Sequence, residues 1–163
     1  AFFNLADEAP LTGYNTDKPV FVNSVITTLR ENNAAANMVR INGWAGFLSR
    51  PVWDIAGTVS DPCREVMTAL GKTIATAPDQ PGLIAARIIA MIINEAYYAV
   101  GDGVSSREET DIAMKLGTNY PYGPFEWCAA IGAPKVAALL GVLSGTDHRY
   151  TTAPLLVQET QQS

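Results

Sequence analysis

Arg87 stands in Pro81-Gly-Leu-Ile-Ala-Ala-Arg-Ile-Ile-Ala-Met-Ile-Ile-Asn-Glu95, a run that is otherwise almost wholly apolar. A guanidinium there serves either to hold the phosphate or carboxylate of a ligand or to complete an internal ion pair. The ion pair is the plainer reading, because a buried arginine needs a partner. Asn94 lies two turns further along on the same helical face, so an Arg87–Asp111 or Asn94–Asp111 bridge between helices is expected. The single histidine, His148, falls in Gly145-Thr-Asp-His-Arg-Tyr150. An imidazole can move a proton near neutral pH, but beside Asp147 in a loop it reads as a solvated side chain. Cys63 and Cys128 each stand alone inside a predicted helix, which implies buried thiols and no zinc site. Tyr120-Pro-Tyr-Gly-Pro-Phe-Glu-Trp127 is dense in rings. It reads as core packing around a Pro/Gly turn, or as one wall of an apolar pocket. The glycine pair Gly43 and Gly46 lacks the G-x-G-x-x-G spacing of a phosphate-binding turn and precedes no helical pattern.

Charge and hydropathy exclude some classes. The net charge is −5 and no Lys/Arg cluster occurs, which speaks against nucleic acid. The apolar run Ile88–Ile93 is bounded by Arg87 and by Asn94-Glu95, and is far short of the roughly 20 residues that span a bilayer. The first twenty residues carry Asp7, Glu8 and Asp17 and no secretory pattern. With two lone thiols, the expected location is the cytoplasm.

The elements that must position these residues divide in two. Residues 1–18 read as an extended or loop-like arm. Strands are expected over Lys18–Val25, Met38–Asn42, Trp53–Gly57 and Thr73–Ala77, from β-branched and aromatic residues bounded by Pro, Asn and Gly. Between them, Thr27–Asn33 reads as a short helix. Ser60, with Pro62 in the first turn and Gly71 after the end, frames a second one. From Pro81 the pattern is wholly helical. A long helix runs over Gly82–Val100 and, being apolar nearly all round, is expected to be the most covered of the chain. Ser106 and Glu109 form a capping box, and Gly117 is the expected stop. Gly123-Pro124, Ala133-Pro134 and Ala153-Pro154 open three more helices. The predicted division is residues 1–79, a partial α/β region, and residues 80–163, a helical domain.

The order of these helices resembles the C-terminal helical domain of the 3-hydroxyacyl-CoA dehydrogenases. The family's PGF-x-x-NR helix start, its Glu-Glu-x-Asp helix and its GPF element correspond to Pro81-Gly82-Leu83, Glu108-Glu109-Thr110-Asp111 and Gly123-Pro124-Phe125. Upstream, Val22-Asn23-Ser24 is similar to the family's N-T-S element, Gly43–Pro51 to G-x-H-F-F-N-P, Val52–Ile55 to L-V-E-V, and Ala69–Lys72 to the helix end in LGK. The resemblance implies a mostly α fold, a C-terminal helical bundle of the 6-phosphogluconate dehydrogenase C-terminal type preceded by a small partial α/β region. It also implies a homodimer and an acyl-CoA ligand.

Departures from the family's pattern bear on function. The position of its general-base histidine is Ala45, and that of its substrate-contacting Asn is Ala86, followed by Arg87. What the resemblance leaves as catalytic candidates is Asp54, where the family has Glu, and Ser24. Arg87 and Asn94 are the substrate-binding candidates. A doubly wound dinucleotide domain needs six strands and a Gly-rich turn, so no cofactor is expected for this chain alone. NAD is expected if a complete cofactor domain lies upstream, and no metal is expected. The first reading is a non-catalytic relative serving as dimerisation and acyl-CoA-cleft domain. The alternative is an active NAD-dependent 3-hydroxyacyl-CoA oxidoreductase whose cofactor site is completed by missing sequence or by another chain. A third is a pure oligomerisation module.

Overall fold

The computed structural model describes residues 1–161. Five strands open the chain: β1 (Phe2–Asn4), β2 (Val20–Asn23), β3 (Met38–Ile41), β4 (Val52–Gly57) and β5 (Thr73–Thr76), with α1 (Asp61–Ala69) between the last two. They form one sheet in the order β1-β2-β3-β4-β5. The first three strands run parallel, β4 runs antiparallel to β3, and β5 runs parallel to β4. β2 and β3 are buried at every position, as expected for central strands covered on both faces. On one face Phe21, Val39, Ile41, Trp53 and Ile55 pack with Cys63 and Met67 of α1. Ala9, Leu11, Val20, Val22 and Met38 form a second cluster.

The arm of residues 1–18, expected as extended or loop-like, is extended at its start as β1, with Phe3 stacked on Phe21 at 4.6 Å between ring centres. One sequence expectation fails in this part. The helix expected over Thr27–Asn33 is a series of turns, so the parallel crossover from β2 to β3 contains no regular helix.

The rest is helical: α2 (Ala85–Gly101), α3 (Arg107–Thr118), α4 (Pro124–Ile131), α5 (Ala133–Ser144), a 3-10 turn over His148–Tyr150, and α6 (Pro154–Thr160). The chain is thus mostly α, with a helical C-terminal part after a small α/β region. Two compact units are delimited, Ala1–Ala86 and Arg87 onward. The capping box forms as expected: Ser106 Oγ accepts the Glu109 N–H at 3.2 Å, and the Ser106 N–H donates to Glu109 Oε2 at 3.1 Å. Gly117 is not the stop of α3. The helix continues to Thr118 and ends on Asn119, which takes the left-handed conformation at φ 55°, one that Asn tolerates.

α2 starts at Ala85, three residues later than expected, and it is not the most covered helix. Seven of its 17 residues are buried, against five of the eight in α4, and Ile88 remains 53% exposed. No single helix among the described residues is long and apolar enough to cross a membrane. The apolar pair α4 and α5 is bent by 98°.

Candidate functional site

Ser24 follows β2 at the carboxyl edge of the parallel strands, the edge where α/β sheets usually bind ligands. Its hydroxyl is fully buried and has two acceptors for one proton: Thr27 O at 2.8 Å and Glu8 Oε2 at 3.2 Å. The loop after it is held in an unusual way. Six consecutive backbone N–H groups go to carboxylates. Val25 and Ile26 donate to Glu8 Oε1 at 2.7 and 2.9 Å, and Thr27 donates to Glu8 Oε2 at 3.1 Å. Thr28 donates to Glu31 at 3.0 Å. Leu29 and Arg30 donate to the two oxygens of Asp79 at 3.1 and 3.0 Å. Without a helix to pair them, these donors need acceptors, and the carboxylates supply them.

Arg40 of β3 completes this frame. It has no solvent exposure, donates Nε to Ser24 O and Nη2 to Val25 O, both at 2.9 Å, and pairs Nη1 with Asp79 Oδ1 at 2.7 Å. Burial pushes the Asp79 carboxyl up, but the bonds from Arg40, Arg30 and Leu29 prevail and hold it below its ordinary value. Hydrogen bonds from Thr28 hold Glu31 low as well.

Asp54 lies in β4 and is nearly buried. One of its oxygens accepts the N–H groups of Ile84 and Ala85 at 2.9 and 3.0 Å. These are donors of the first turn of α2, where a carboxylate is favoured by the unpaired N–H groups and the helix dipole. Asp54 therefore acts as a helix cap. Ala45 is exposed in the turn after β3. Asn42 just before it accepts the Trp44 N–H at 3.1 Å, and its Nδ2 is buried with no hydrogen-bond partner. Gly43 is fixed by its neighbour, because a Cβ there would lie 2.4 Å from Asn23 Cγ.

These residues do not fit a dinucleotide. Among the described residues the one strand–helix–strand crossover is β4–α1–β5. Its helix opens with Asp61 and Pro62, a negative charge and a missing N–H where a pyrophosphate would need donors. No group of three or more His, Cys, Asp or Glu side chains converges to hold a metal ion among the described residues.

In the helical unit Asn94 is fully buried. Its Nδ2 donates to Thr151 O and its Oδ1 accepts the Ala153 N–H, both at 2.8 Å, so it clasps the entry to α6. Asp111 caps α4, accepting from Phe125 and Glu126 at 2.8 and 3.2 Å. Gly123 is required there, since a Cβ would fall 2.2 Å from Asp111 Oδ1. Neither the Arg87–Asp111 nor the Asn94–Asp111 bridge forms. Both acidic oxygens are committed to α4, and the Asn94 amide to the segment before α6. The Arg87 guanidinium lies 5.9 Å from the Tyr150 ring centre. His148 is exposed, and its neighbour Asp147 is engaged by Arg149, which holds the carboxyl down at about 2. The end of the aromatic segment is core packing, while Tyr122 is exposed. Trp127 and Phe125 are buried, with Tyr120 against Trp127 at 5.5 Å and Tyr97 against Phe125 at 4.9 Å. Cys63 and Cys128 are free and buried, and burial pushes both thiols up.

The structure thus places Ser24 and Asp54 in the sheet unit and Arg87 and Asn94 in the helical one. Sequence reasoning missed Glu8, Arg40 and Asp79. Arg40 sits inside a strand and reads as an outward-facing residue of an alternating pattern. Its partners are far away in sequence.

Residues 82–161 match the family described as 3-hydroxyacyl-CoA dehydrogenase, C-terminal domain. This segment is a 3-hydroxyacyl-CoA dehydrogenase C-terminal domain. Over 90 residues the chain is 44% identical to the 3-hydroxyadipyl-CoA dehydrogenase of Escherichia coli (strain K12), an overlap of 54% of this chain and 19% of that protein. Over 97 residues it is 39% identical to the 3-hydroxybutyryl-CoA dehydrogenase of Bradyrhizobium diazoefficiens, an overlap of 58% and 33%. Two solved structures extend the likeness over the sheet. The (S)-3-hydroxybutyryl-CoA dehydrogenase from Ralstonia eutropha aligns with a TM-score of 0.74 at 25% identity, over 88% of this chain and 55% of that one. The 3-hydroxybutyryl-CoA dehydrogenase from Escherichia coli K12 aligns with a TM-score of 0.72 at 31% identity, over 91% and 34%. The chain therefore spans about a fifth to a third of the length of these curated relatives. It is related to 3-hydroxyacyl-CoA dehydrogenases and carries their C-terminal domain behind a short α/β region.

Proposed function

We propose that this chain is a member of acyl-CoA metabolism that does not catalyse hydride transfer by itself and serves as a dimerisation and acyl-CoA-cleft domain. The observation that carries this reading is how the polar groups at the candidate positions are spent. Ser24 is tied to Thr27 and Glu8, Asp54 to the first turn of α2, and Asn94 to residues 151 and 153. Ala45 and Ala86 stand where the resemblance puts a general base and a substrate-contacting amide. Each loss is large. Positioned proton transfer contributes about 10²–10⁴-fold, and holding the two reactants together is worth roughly 7–11 kcal/mol.

Dimerisation is supported by the apolar side chains that the helical unit leaves outside. Ile88, Ile112 and Leu116 are 53%, 47% and 82% exposed, apolar surface on α2 and α3 that a partner would cover. Free buried thiols suit a reducing, cytoplasmic setting. The alternative, an active NAD-dependent oxidoreductase with its cofactor site completed elsewhere, is favoured by the overlap with dehydrogenases whose greater part lies outside this chain.

Titration of the chain with NADH by fluorescence, followed by an acetoacetyl-CoA assay that follows the absorbance of the reduced nicotinamide, tests the first reading. The expected result is no micromolar binding and no turnover. Turnover abolished by Asp54→Asn or His148→Ala would overturn the non-catalytic reading.

A further inference from the structure

The three carboxylates that hold residues 25–30 are not equivalent. Asp79 is locked by the buried Arg40, and Glu31 belongs to the same run of turns. Glu8 reaches in from a separate segment. Its carboxylate sits against three successive N–H groups and one hydroxyl, two donors to each oxygen. Successive main-chain N–H groups converging on one point make an anion-binding concavity. Two donors to each of the two Glu8 oxygens is the pattern that a planar carboxylate satisfies.

Residues 5–7 are exposed, whereas Ala9 is buried and pinned by its N–H to Asn23 O at 2.9 Å. Rotation of the Glu8 side chain would empty the concavity. The vacated N–H groups of residues 25–27 then need another acceptor.

We propose that residues 25–27, with the Ser24 hydroxyl, are a receptor for a ligand carboxylate, closed in this structure by the chain's own Glu8, which an incoming carboxylate displaces. The receptor stands on its own geometry and holds whether or not the chain is catalytic. A tethered group competes at an effective concentration on the order of millimolar. The parent therefore excludes simple carboxylates and admits one that brings further contacts of its own. With Glu8 removed, the receptor takes a simple carboxylate directly.

The probe is acetate, titrated against chloride at constant ionic strength into the full 163-residue chain and into Glu8→Ala, and read by amide chemical shifts and thermal melting. In Glu8→Ala, acetate is expected to shift the Val25, Ile26 and Thr27 amides saturably, to raise the melting temperature, and to bind at least tenfold more tightly than in the parent. Chloride should do neither. Equal responses in parent and variant, or shifts centred away from these amides, overturn the proposal. Should Glu8→Ala not fold, Glu8→Gln keeps the length and one acceptor without the charge. Acetate must then produce the same three shifts in it, and silence there overturns the proposal equally.

Discussion

Replacing Asp79 with alanine leaves the Arg40 guanidinium fully buried without its carboxylate. Breaking one side of a buried pair costs about 3–5 kcal/mol, and the loss should appear as a lower urea midpoint at unchanged slope. Asp79 also sets a pH dependence. Its folded value lies below the ordinary 3.8, so the unfolded chain takes up the proton first. The contribution is then complete above about pH 5 and is lost as pH falls through 3.8 and below. Urea unfolding at neutral pH and at about pH 3 should show the parent losing more stability than Asp79→Asn. Equal losses would assign the effect to other carboxylates. None of this network is legible from residue types. Arg40 lies in a hydrophobic strand, Glu8 looks like an arm residue, and nothing local links either to residues 25–30. The candidates that the resemblance supplied, Ser24 and Asp54, do lie at a strand end and next to a helix start, but their side chains serve the backbone.

At the scale of elements, legibility follows sequence distance. The capping box of α3 is readable because Ser106 and Glu109 are three residues apart, and the Gly-Pro and Ala-Pro openings of α4, α5 and α6 are equally local. The caps of α2 and α4 are not, since Asp54 stands 30 and 31 residues from the N–H groups it accepts, and Asp111 14 and 15. The composition of residues 27–33 permits a helix, but carboxylates satisfy the same donors in the turns, Glu31 from within and Glu8 and Asp79 from outside. Asn94 shows what such a clasp is worth. In Asn94→Leu the buried Ala153 N–H loses its partner, at about 1–3 kcal/mol for a group left unpaired, while the Thr151 carbonyl keeps only the Tyr98 hydroxyl at 3.3 Å. Hydrogen exchange should speed up at Ala153 and through α6 while the α3 amides keep their protection. Uniform acceleration across the helical unit would instead mean that Asn94 supports the whole bundle.

At the scale of the molecule, exposed apolar side chains on α2 and α3 set the expectation of a dimer. Light scattering at micromolar concentration should give about twice the chain mass of 17.4 kDa, with an interface resembling a divided core. Ile88→Lys, at a half-exposed position, should return the mass to one chain with little change in helicity. A single-chain mass for the parent would reject the dimer. The division into an α/β part and a helical part was visible in the switch from period-two strands to unbroken helical pattern near residue 80. The pairing order of the strands was not, because short strands joined by irregular crossovers carry no local mark of their neighbours.

The carboxylate-held loop also dictates an order of events. Glu8 lies 17 to 19 residues before the amides it accepts, and Asp79 lies 49 and 50 residues beyond its own. Closing such spans is paid in chain entropy before any bond forms. Residues 29 and 30 are therefore expected to stay open during folding until β4, α1 and β5 have carried Asp79 into place. In a pulse-labelling experiment the amides of 29 and 30 should gain protection after those of β3 and β4. Simultaneous protection would mean that the loop orders itself and that its carboxylates arrive second.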